Sequence, residues 1–414
     1  MTAVLGDSAT AHTLTGHQSV QWEKPRQLSM ASIQVRSAYN RLISWFSEAH
    51  PTPPDEALHG LPPAWTLEIQ QATQSLGCPT DYVDAIRQAL TEAVERWQRH
   101  PDAANSLVVL GSPIENLESV FHACFQDWAS PVEQVMHPIS WSRRPNREYG
   151  IAQPIQAALV KRSAAAAAQE ETKTSPLDRR HTLVVIPQLH QGFLRCIRGW
   201  RSIEWLRDAV GQSGNYFWLI GCNTWAWAFL DRVCSIGAYF NPVISLPPLS
   251  AESLERWLQP LLVPTADDAA APVIPDSYWS NLAGVGISSA IALALWQKSL
   301  RVKAADLPDE QQEQPDLRPP TVPLHLTTPV LPNLPSLSAA EHYLLQSLLL
   351  HGGMSRPQLV DSLGEAVGVV RSHIHQLRRA GIIQQERDWL SIAPAHYPRL
   401  RSELSQNTFL VGDD

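Results

Sequence analysis

The sequence lacks the long apolar runs and paired cysteines that would assign it to a class at once. No stretch approaches 18 uninterrupted apolar residues, so we expect no bilayer-spanning helix, and the first residues show no secretory signal pattern. Its five cysteines include no C-x-x-C pair, and no histidine lies at zinc-finger spacing from such a pair. Unpaired cysteines are typical of free thiols in a reducing compartment. We therefore expect a cytoplasmic protein without a bound metal.

Positive charge is also scarce. The chain has 32 Lys and Arg against 40 Asp and Glu, a formal net charge of −8, which argues against a chain-wide nucleic-acid surface but leaves room for one local basic element. Apolar residues, in contrast, make up 44% of the 414 residues and include 15 Trp, which is ample material for a core. This length accommodates two or three domains.

Apolar periodicity and proline content divide the chain into six segments. These are a disordered tail (1–28), a helical region (29–99), an α/β core (100–249), a second helical region (250–303), a Pro-rich acidic linker (304–337) and a terminal module (338–414). In the core, short apolar runs predict buried strands, and each is followed by helical spacing. Strands and helices that alternate in this way predict a mainly parallel sheet with helices on both faces. After the strand at 181–187 we expect a long helix over 193–212, with Gly199 as a candidate break.

The turn after the first core strand has the place of a phosphate-binding loop but not its chemistry. Such a loop needs a Lys for the phosphates and a hydroxyl group for Mg²⁺. Counting from Gly111, the second Gly position holds Asn116, the Lys position holds Leu117, and the hydroxyl position holds Glu118, followed by Ser119. A carboxylate there would repel a triphosphate, which leaves the helix N-terminus as the only attraction for a phosphate group.

The next two strands end in residues that would face a bound nucleotide. The run 183–186 leads into Pro187 and Gln188, and neither side chain is an anion that could hold Mg²⁺. The third strand ends in Asn223, which has the type and position of a polar sensor for the γ-phosphate, although Asn is also common in turns. The Trp225 and Trp227 that follow predict core packing, with an exposed aromatic patch for a partner as the alternative.

The order of these segments resembles the AAA+/STAND class of P-loop ATPases. The resemblance is carried by the degenerate turn, LVVIPQL, YFWLIGCNTWAW and SLPPLSAESLERWL, and LAGVGISSAIALALW is similar to the lid helices of that class. It covers about residues 100–301 and implies a three-layer P-loop NTPase-like sheet with a helical lid over 250–303. Because both signature motifs are replaced, it implies no ATP hydrolysis, and ATP or ADP is not an expected cofactor. Another α/β fold without P-loop ancestry stays open.

The terminal module resembles a winged helix-turn-helix domain. SAAEHYLLQSLLLHGG, SRPQLVDSLG and GVVRSHIHQLRRAGII predict its three helices, and IIQQERDWLSIAP predicts the wing. The module has seven Arg, no Lys and eight acidic residues, which is little positive charge for a DNA-binding domain. Yet Arg371, His375, Arg378 and Arg379 lie together in the third helix with no acid between them. The module is thus a candidate for contact with a protein or with DNA.

These features predict a catalytically inactive AAA+/STAND-like protein that acts as a regulatory or scaffolding module. We expect a protein partner, including one within a membrane-associated complex, and the sequence leaves homo-oligomers open. Two alternatives stay open. One is a nucleotide-binding switch with weak or no hydrolysis, and the other is a winged-helix DNA-binding transcriptional regulator.

Overall fold

The structure is a computed structural model that describes most of the chain after residue 56. The described ranges are 57–139, 150–167, 181–212, 214–262, 272–285, 288–307 and 324–412. The predicted tail at 1–28 and the first half of the helical region lie outside them. No helix within these ranges has the length and apolarity needed to cross a membrane.

Five parallel strands form the central sheet. In chain order they are β2 (Ser106–Gly111), β3 (Gln134–Met136), β4 (Thr182–Ile186), β5 (Tyr216–Asn223) and β6 (Val243–Ser245). Their order across the sheet is β3-β4-β5-β2-β6, and every neighbouring pair is parallel. The central strands are buried almost throughout, as expected for apolar runs covered on both faces. The predicted P-loop NTPase-like parallel sheet is confirmed.

Within the described ranges, six helices precede or connect these strands. They are α1 (Pro63–Gln74), α2 (Thr80–Arg99), α3 (Leu117–Phe125), α4 (Ala152–Ala167), α5 (Arg201–Gln212) and α6 (Thr224–Cys234). Helix α2 shows how their apolar spacing is used, because Tyr82, Ile86, Leu90 and Trp97 recur at spacings of four and seven residues and are buried. Helices α2 and α3 contact β5, and α6 contacts β2. The sheet is thus flanked by helices, as predicted.

The prediction of a long helix over 193–212 is wrong for residues 193–200. Helix α5 begins only at Arg201, and the residues before it form a loop closed by a hydrogen bond from the Leu194 amide to the Gly199 carbonyl (3.1 Å). A Cβ atom on Gly199 would lie 1.9 Å from the Leu194 carbonyl oxygen, so only glycine fits this loop. The predicted break at Gly199 therefore belongs to the loop that precedes the helix.

The described part of the second helical region contains three helices and ends in a strand. They are α7 (Ala251–Leu258), α8 (Tyr278–Val285) and α9 (Ser289–Ser299), and β7 (Leu300–Lys303) follows at once. Strand β7 lies between β1 (Leu58–Gly60) and β8 (His325–Leu326) in a small antiparallel sheet. This sheet was not predicted, because β8 falls in the Pro-rich linker and its partners are distant in sequence.

The terminal module has the predicted three helices and the strands of the wing, and it also contains a short strand after its first helix that was not predicted. Its elements are α10 (Ala339–His351), β9 (Met354–Ser355), α11 (Arg356–Leu363), α12 (Val367–Arg379), β10 (Ile383–Glu386), β11 (Trp389–Ile392) and α13 (Tyr397–Gln406). Capping boxes at Ser338 and Ser355 begin α10 and α11, and Gly352 ends α10 in the left-handed conformation. Helix α13 was not predicted.

Candidate functional site

The candidate site lies where the central strands end. We call it the carboxyl edge and define it by residues 111–119, 187–191 and 223, which follow or end β2, β4 and β5. Parallel strands end on the same side of a sheet, and open α/β sheets bind ligands just outside these ends. The structure therefore brings together all the residues predicted as the remnant of a nucleotide site.

The turn after β2 is filled by apolar packing. Leu117 is the first residue of α3 and is buried, and a Cβ on Gly111 would lie 3.0 Å from its Cδ2 and 3.3 Å from the Cδ1 of Leu246. Asn116 caps α3, since its Oδ1 accepts from the Ser119 amide (3.2 Å). One of the free amides that would attract an anion is thus already bonded, and the Lys position contributes no charge.

The two positions at which a P-loop ATPase would hold Mg²⁺ are joined directly to each other. The Gln188 Nε2 donates to the Glu118 Oε2 (2.8 Å), and the Gln191 Nε2 donates to the Gln188 Oε1. Next to them, a Cβ on Gly221 would lie 2.3 Å from the Pro187 carbonyl oxygen, so β4 and β5 are pressed together here. In the described ranges no three His, Cys, Asp or Glu side chains are grouped as metal ligands. At these two positions the edge offers one carboxylate, that of Glu118, and its neighbour is the neutral amide of Gln188.

Asn223, the predicted sensor residue, faces the terminal module. Its Oδ1 accepts from the Ala226 amide (2.6 Å) and caps α6, while its Nδ2 donates to the carbonyl oxygens of Leu349 and Leu350, each at 3.2 Å. The side chain is 1% exposed. It thus joins the end of β5 to the last turn of α10.

Arg195 strengthens the same junction and was missed by the sequence analysis. Its backbone amide donates to the His351 Nε2 (3.0 Å), and its guanidinium donates to Gln346 and Ser347, both at 3.1 Å. The ring of His351 is fully buried and lies 4.9 Å from that of Phe193. Burial lowers the pKa of Arg195. The sequence analysis expected Arg195 to lie in a helix, whereas it lies in a loop. No sequence signal marked its contacts, because its partners are about 150 residues away.

The two tryptophans do not form an exposed patch. Trp225 is 1% exposed, and its Nε1 donates to the Tyr397 hydroxyl (2.9 Å) of the terminal module. Trp227 is half-buried, with its ring 6.3 Å from that of Phe240. Core packing is therefore the correct interpretation for Trp225, and a role in binding an external partner is not open to its buried side chain.

A buried carboxyl group joins the carboxyl edge to the lid. The Glu115 side chain accepts from the Ser289 hydroxyl at the start of α9, and the Ser289 amide donates to the Tyr82 hydroxyl (3.2 Å). Burial raises the pKa of Glu115. From the sequence alone, Glu115 is only one more acidic residue of the turn. Its contact with Ser289 could not be predicted, because the two residues are 174 positions apart.

The basic residues of the terminal module lie on the outer face of α12. Arg371, His375, Arg378 and Arg379 are all exposed, whereas Val370, Ile374 and Leu377 on the other face are buried. Their spacing of three and four residues places the four on one side of the helix. The structure therefore groups these predicted residues with one another, and it separates them from Trp225, which lies buried in the core–module junction.

Comparison with known proteins gives similarity to solved structures only. Neither a family model nor a curated protein sequence matches the chain. Of the solved structures, 63 chains match. A chain of Drosophila ORC bound to DNA is 12% identical, with 88% of this chain and 99% of that chain covered and a TM-score of 0.35. The Aeropyrum pernix ORC1 protein in complex with DNA is 14% identical over 84% of this chain and 97% of that chain, with a TM-score of 0.34.

CDC6P from Pyrobaculum aerophilum is also similar. It is 14% identical, with 89% of this chain and 98% of that chain covered and a TM-score of 0.30. Because these TM-scores are low, the function of the carboxyl edge has to be argued from its own contacts.

Proposed function

We propose that the chain is a catalytically inactive AAA+/STAND-like protein that acts as a regulatory or scaffolding module. The observation that carries the proposal is the hydrogen bond from Gln188 to Glu118, which is 2.8 Å long and joins the two positions where a magnesium ion would have to be held. Leu117 is turned into the core at the position of the phosphate-binding Lys. Phosphoryl transfer depends almost entirely on such charged groups, and their replacement leaves the edge without a means to stabilise the transferred phosphate.

The contacts of the carboxyl edge also support an assembly role. In place of a ligand, the edge binds the terminal module through Asn223, and Arg195 adds three hydrogen bonds to α10. The edge therefore sets the position of the module relative to the sheet. A partner that binds the module would be held in a fixed orientation to the core.

Titration of the full chain with ATP and Mg²⁺ in a calorimeter tests the absence of nucleotide chemistry. We expect no saturable heat up to millimolar ATP and no release of phosphate. The triple variant Leu117→Lys, Glu118→Thr and Gln188→Asp restores the expected ligand types and serves as the comparison. Saturable micromolar binding by the unmodified chain would contradict the proposal and support the nucleotide-binding switch.

We further propose that the outer face of α12 binds the partner. Arg371, Arg378 and Arg379 are exposed there, and Val367 and Val369 near the start of the helix are 60% and 44% exposed. Exposed apolar and basic side chains on one helix suit an acidic protein surface with an apolar centre. Duplex DNA is the second candidate, favoured by the same basic cluster on the third helix of the module.

Mobility shifts with duplex DNA at increasing salt distinguish the two partners. A protein partner predicts no shift at physiological salt. DNA binding predicts an affinity that falls steeply with salt, by a slope of about −0.9 for each phosphate contact. It also predicts loss of the shift in the double variant Arg378→Ala and Arg379→Ala, but not in Arg399→Ala, which removes an exposed Arg from α13. Partners recovered by cross-linking from the protein's own cells should be lost in the same double variant.

A further inference from the structure

We infer that Glu115 fastens the lid to the core by placing a buried hydrogen-bond acceptor from the turn after β2 at the start of α9. The lid here means the helices α7, α8 and α9. This contact is independent of the partner surface on α12. It does not depend on the absence of nucleotide chemistry at this edge, which the ATP titration tests separately.

The backbone around Glu115 directs its side chain at the lid. Residue 115 lies in the turn between β2 and α3, and its amide donates to the Ser112 carbonyl (3.0 Å). The Ser289 hydroxyl donates to its carboxyl group, and the Ser288 hydroxyl and the Ala290 amide face the same group. The Oε2 atom is buried from solvent. The contact is therefore internal, and it links positions more than 170 residues apart in the chain.

Helix α9 needs an acceptor from outside itself. The first amides of any helix lack partners within the helix and carry a partial positive charge, so an oxygen acceptor there is stabilising. Ser288 occupies the N-cap position, but its side chain makes no capping hydrogen bond. Glu115, which comes from the core, accepts from the Ser289 hydroxyl and faces the Ala290 amide at this end of the helix. The helix start is therefore completed only when the lid is docked.

Helix α2 is a third segment that takes part in this contact. The Tyr82 hydroxyl on α2 accepts from the Ser289 amide at 3.2 Å. Among the described residues, the titratable groups that interact with Glu115 are Tyr82 itself and Cys78 just before α2, while Asp81 in the first turn of α2 interacts with Tyr82, and none of these three is a cation. Burial and the charge of Glu115 raise the pKa of Cys78 to about 11. Burial raises the pKa of Glu115 and thus shifts it toward its neutral, protonated form.

Protonation of Glu115 makes the stability of this contact depend on pH. Because burial raises the folded-state pKa of Glu115, its contribution to stability is complete below the unfolded-state pKa and is lost as the pH rises through the folded-state pKa. A glutamine has nearly the same shape as a protonated glutamic acid and does not ionise. Glu115→Gln should therefore keep the lid docked and remove this pH dependence.

Hydrogen exchange of the full chain, measured by mass spectrometry on peptides from α9, tests the inference. Glu115→Ala should speed exchange in α9 about tenfold at pH 7, since opening no longer costs the buried contact. Glu115→Gln should stay within about twofold of the unmodified protein. Glu118→Ala is the matched control, because Glu118 is in the same turn region but bonds to Gln188 and not to the lid. It should leave α9 unchanged.

Two results would overturn the inference. One is unchanged α9 exchange in Glu115→Ala, and the other is an equal increase in Glu118→Ala. If Glu115→Ala does not fold, Ser289→Ala decides in its place: faster exchange confined to α9 supports the contact, and unchanged exchange refutes it. Saturable ATP binding together with an intact effect of Glu115 would contradict the proposed function and leave this inference standing.

Discussion

At the scale of single residues, Asn223 shows how a polar side chain at a strand end was put to structural use. Its carbonyl oxygen caps α6 and its amide nitrogen donates to two carbonyl oxygens of α10. The residue has the type and position expected of a sensor, and both could be predicted from the sequence. Its partners could not, because Leu349 and Leu350 are more than 120 residues away and ordinary in the sequence.

Replacing Asn223 should destabilise the protein strongly. Asn223→Ala removes the cap and both donors, and we expect a loss of about 2–3 kcal/mol in the free energy of unfolding. Asn223→Asp keeps the capping oxygen but turns an acceptor toward two carbonyl oxygens, so it should lose about as much. Asn116→Ala, which removes an exposed cap with no link to α10, should cost only about 1 kcal/mol. Urea unfolding measures all three, and a stable Asn223→Asp variant would show that the donors do not matter.

At the scale of elements, the end of α10 is fixed by both its own sequence and its neighbours. Gly352 ends the helix with a φ of 65°, and Gly364 ends α11 with a φ of 68°. Both terminations follow from local chemistry and could be predicted from the sequence. The surroundings differ, however. A Cβ on Gly352 would lie 2.7 Å from the Nε2 of His190, whereas a Cβ on Gly364 would meet nothing within 4 Å.

Because Gly352 and Gly364 share the backbone conformation and differ in their surroundings, substitutions at the two positions can be compared directly. Gly364→Ala should cost only the left-handed backbone penalty, about 1–2 kcal/mol. Gly352→Ala has the same penalty and also forces α10 away from the carboxyl edge, so it should cost a further 1–3 kcal/mol, roughly the range for overpacking. Thermal unfolding of both variants gives the comparison. Equal losses would mean that α10 is not pressed against His190.

At the scale of the whole molecule, the described parts of the segments after residue 56 are packed into one body. Residues Ala57–Asp414 form one compact unit, and a single cluster of buried apolar residues runs from α2 to α13. The six domain boundaries stay a prediction. The contact between Trp225 of the core and Tyr397 of the module is one of the buried links that joins them.

We therefore expect this body to unfold in one cooperative transition. Calorimetry and Trp fluorescence in urea should give coincident curves for the core and the terminal module. Tyr397→Phe leaves the indole nitrogen of Trp225 without its acceptor in a buried site and should cost about 1–3 kcal/mol. It should shift the single transition without dividing it. Two well-separated transitions in the unmodified protein would refute the shared core.

The sequence by itself determined the local order of this protein. Apolar runs, helical spacing and caps such as Ser338 and Gly352 act over a few residues, so the parallel strands and most helices of the module could be predicted. The loss of charge at Leu117 and Gln188 could be predicted in the same way, since side-chain chemistry belongs to the residue.

Only the tertiary structure decided what these positions do now. The bond between Glu118 and Gln188, the contact of Glu115 with α9 and the docking of α10 on Asn223 all join residues 70 or more apart. No periodicity or motif encodes such pairs. They form because the parallel strands end on one side of the sheet, where buried polar groups have to find hydrogen-bond partners among whichever segments pack there.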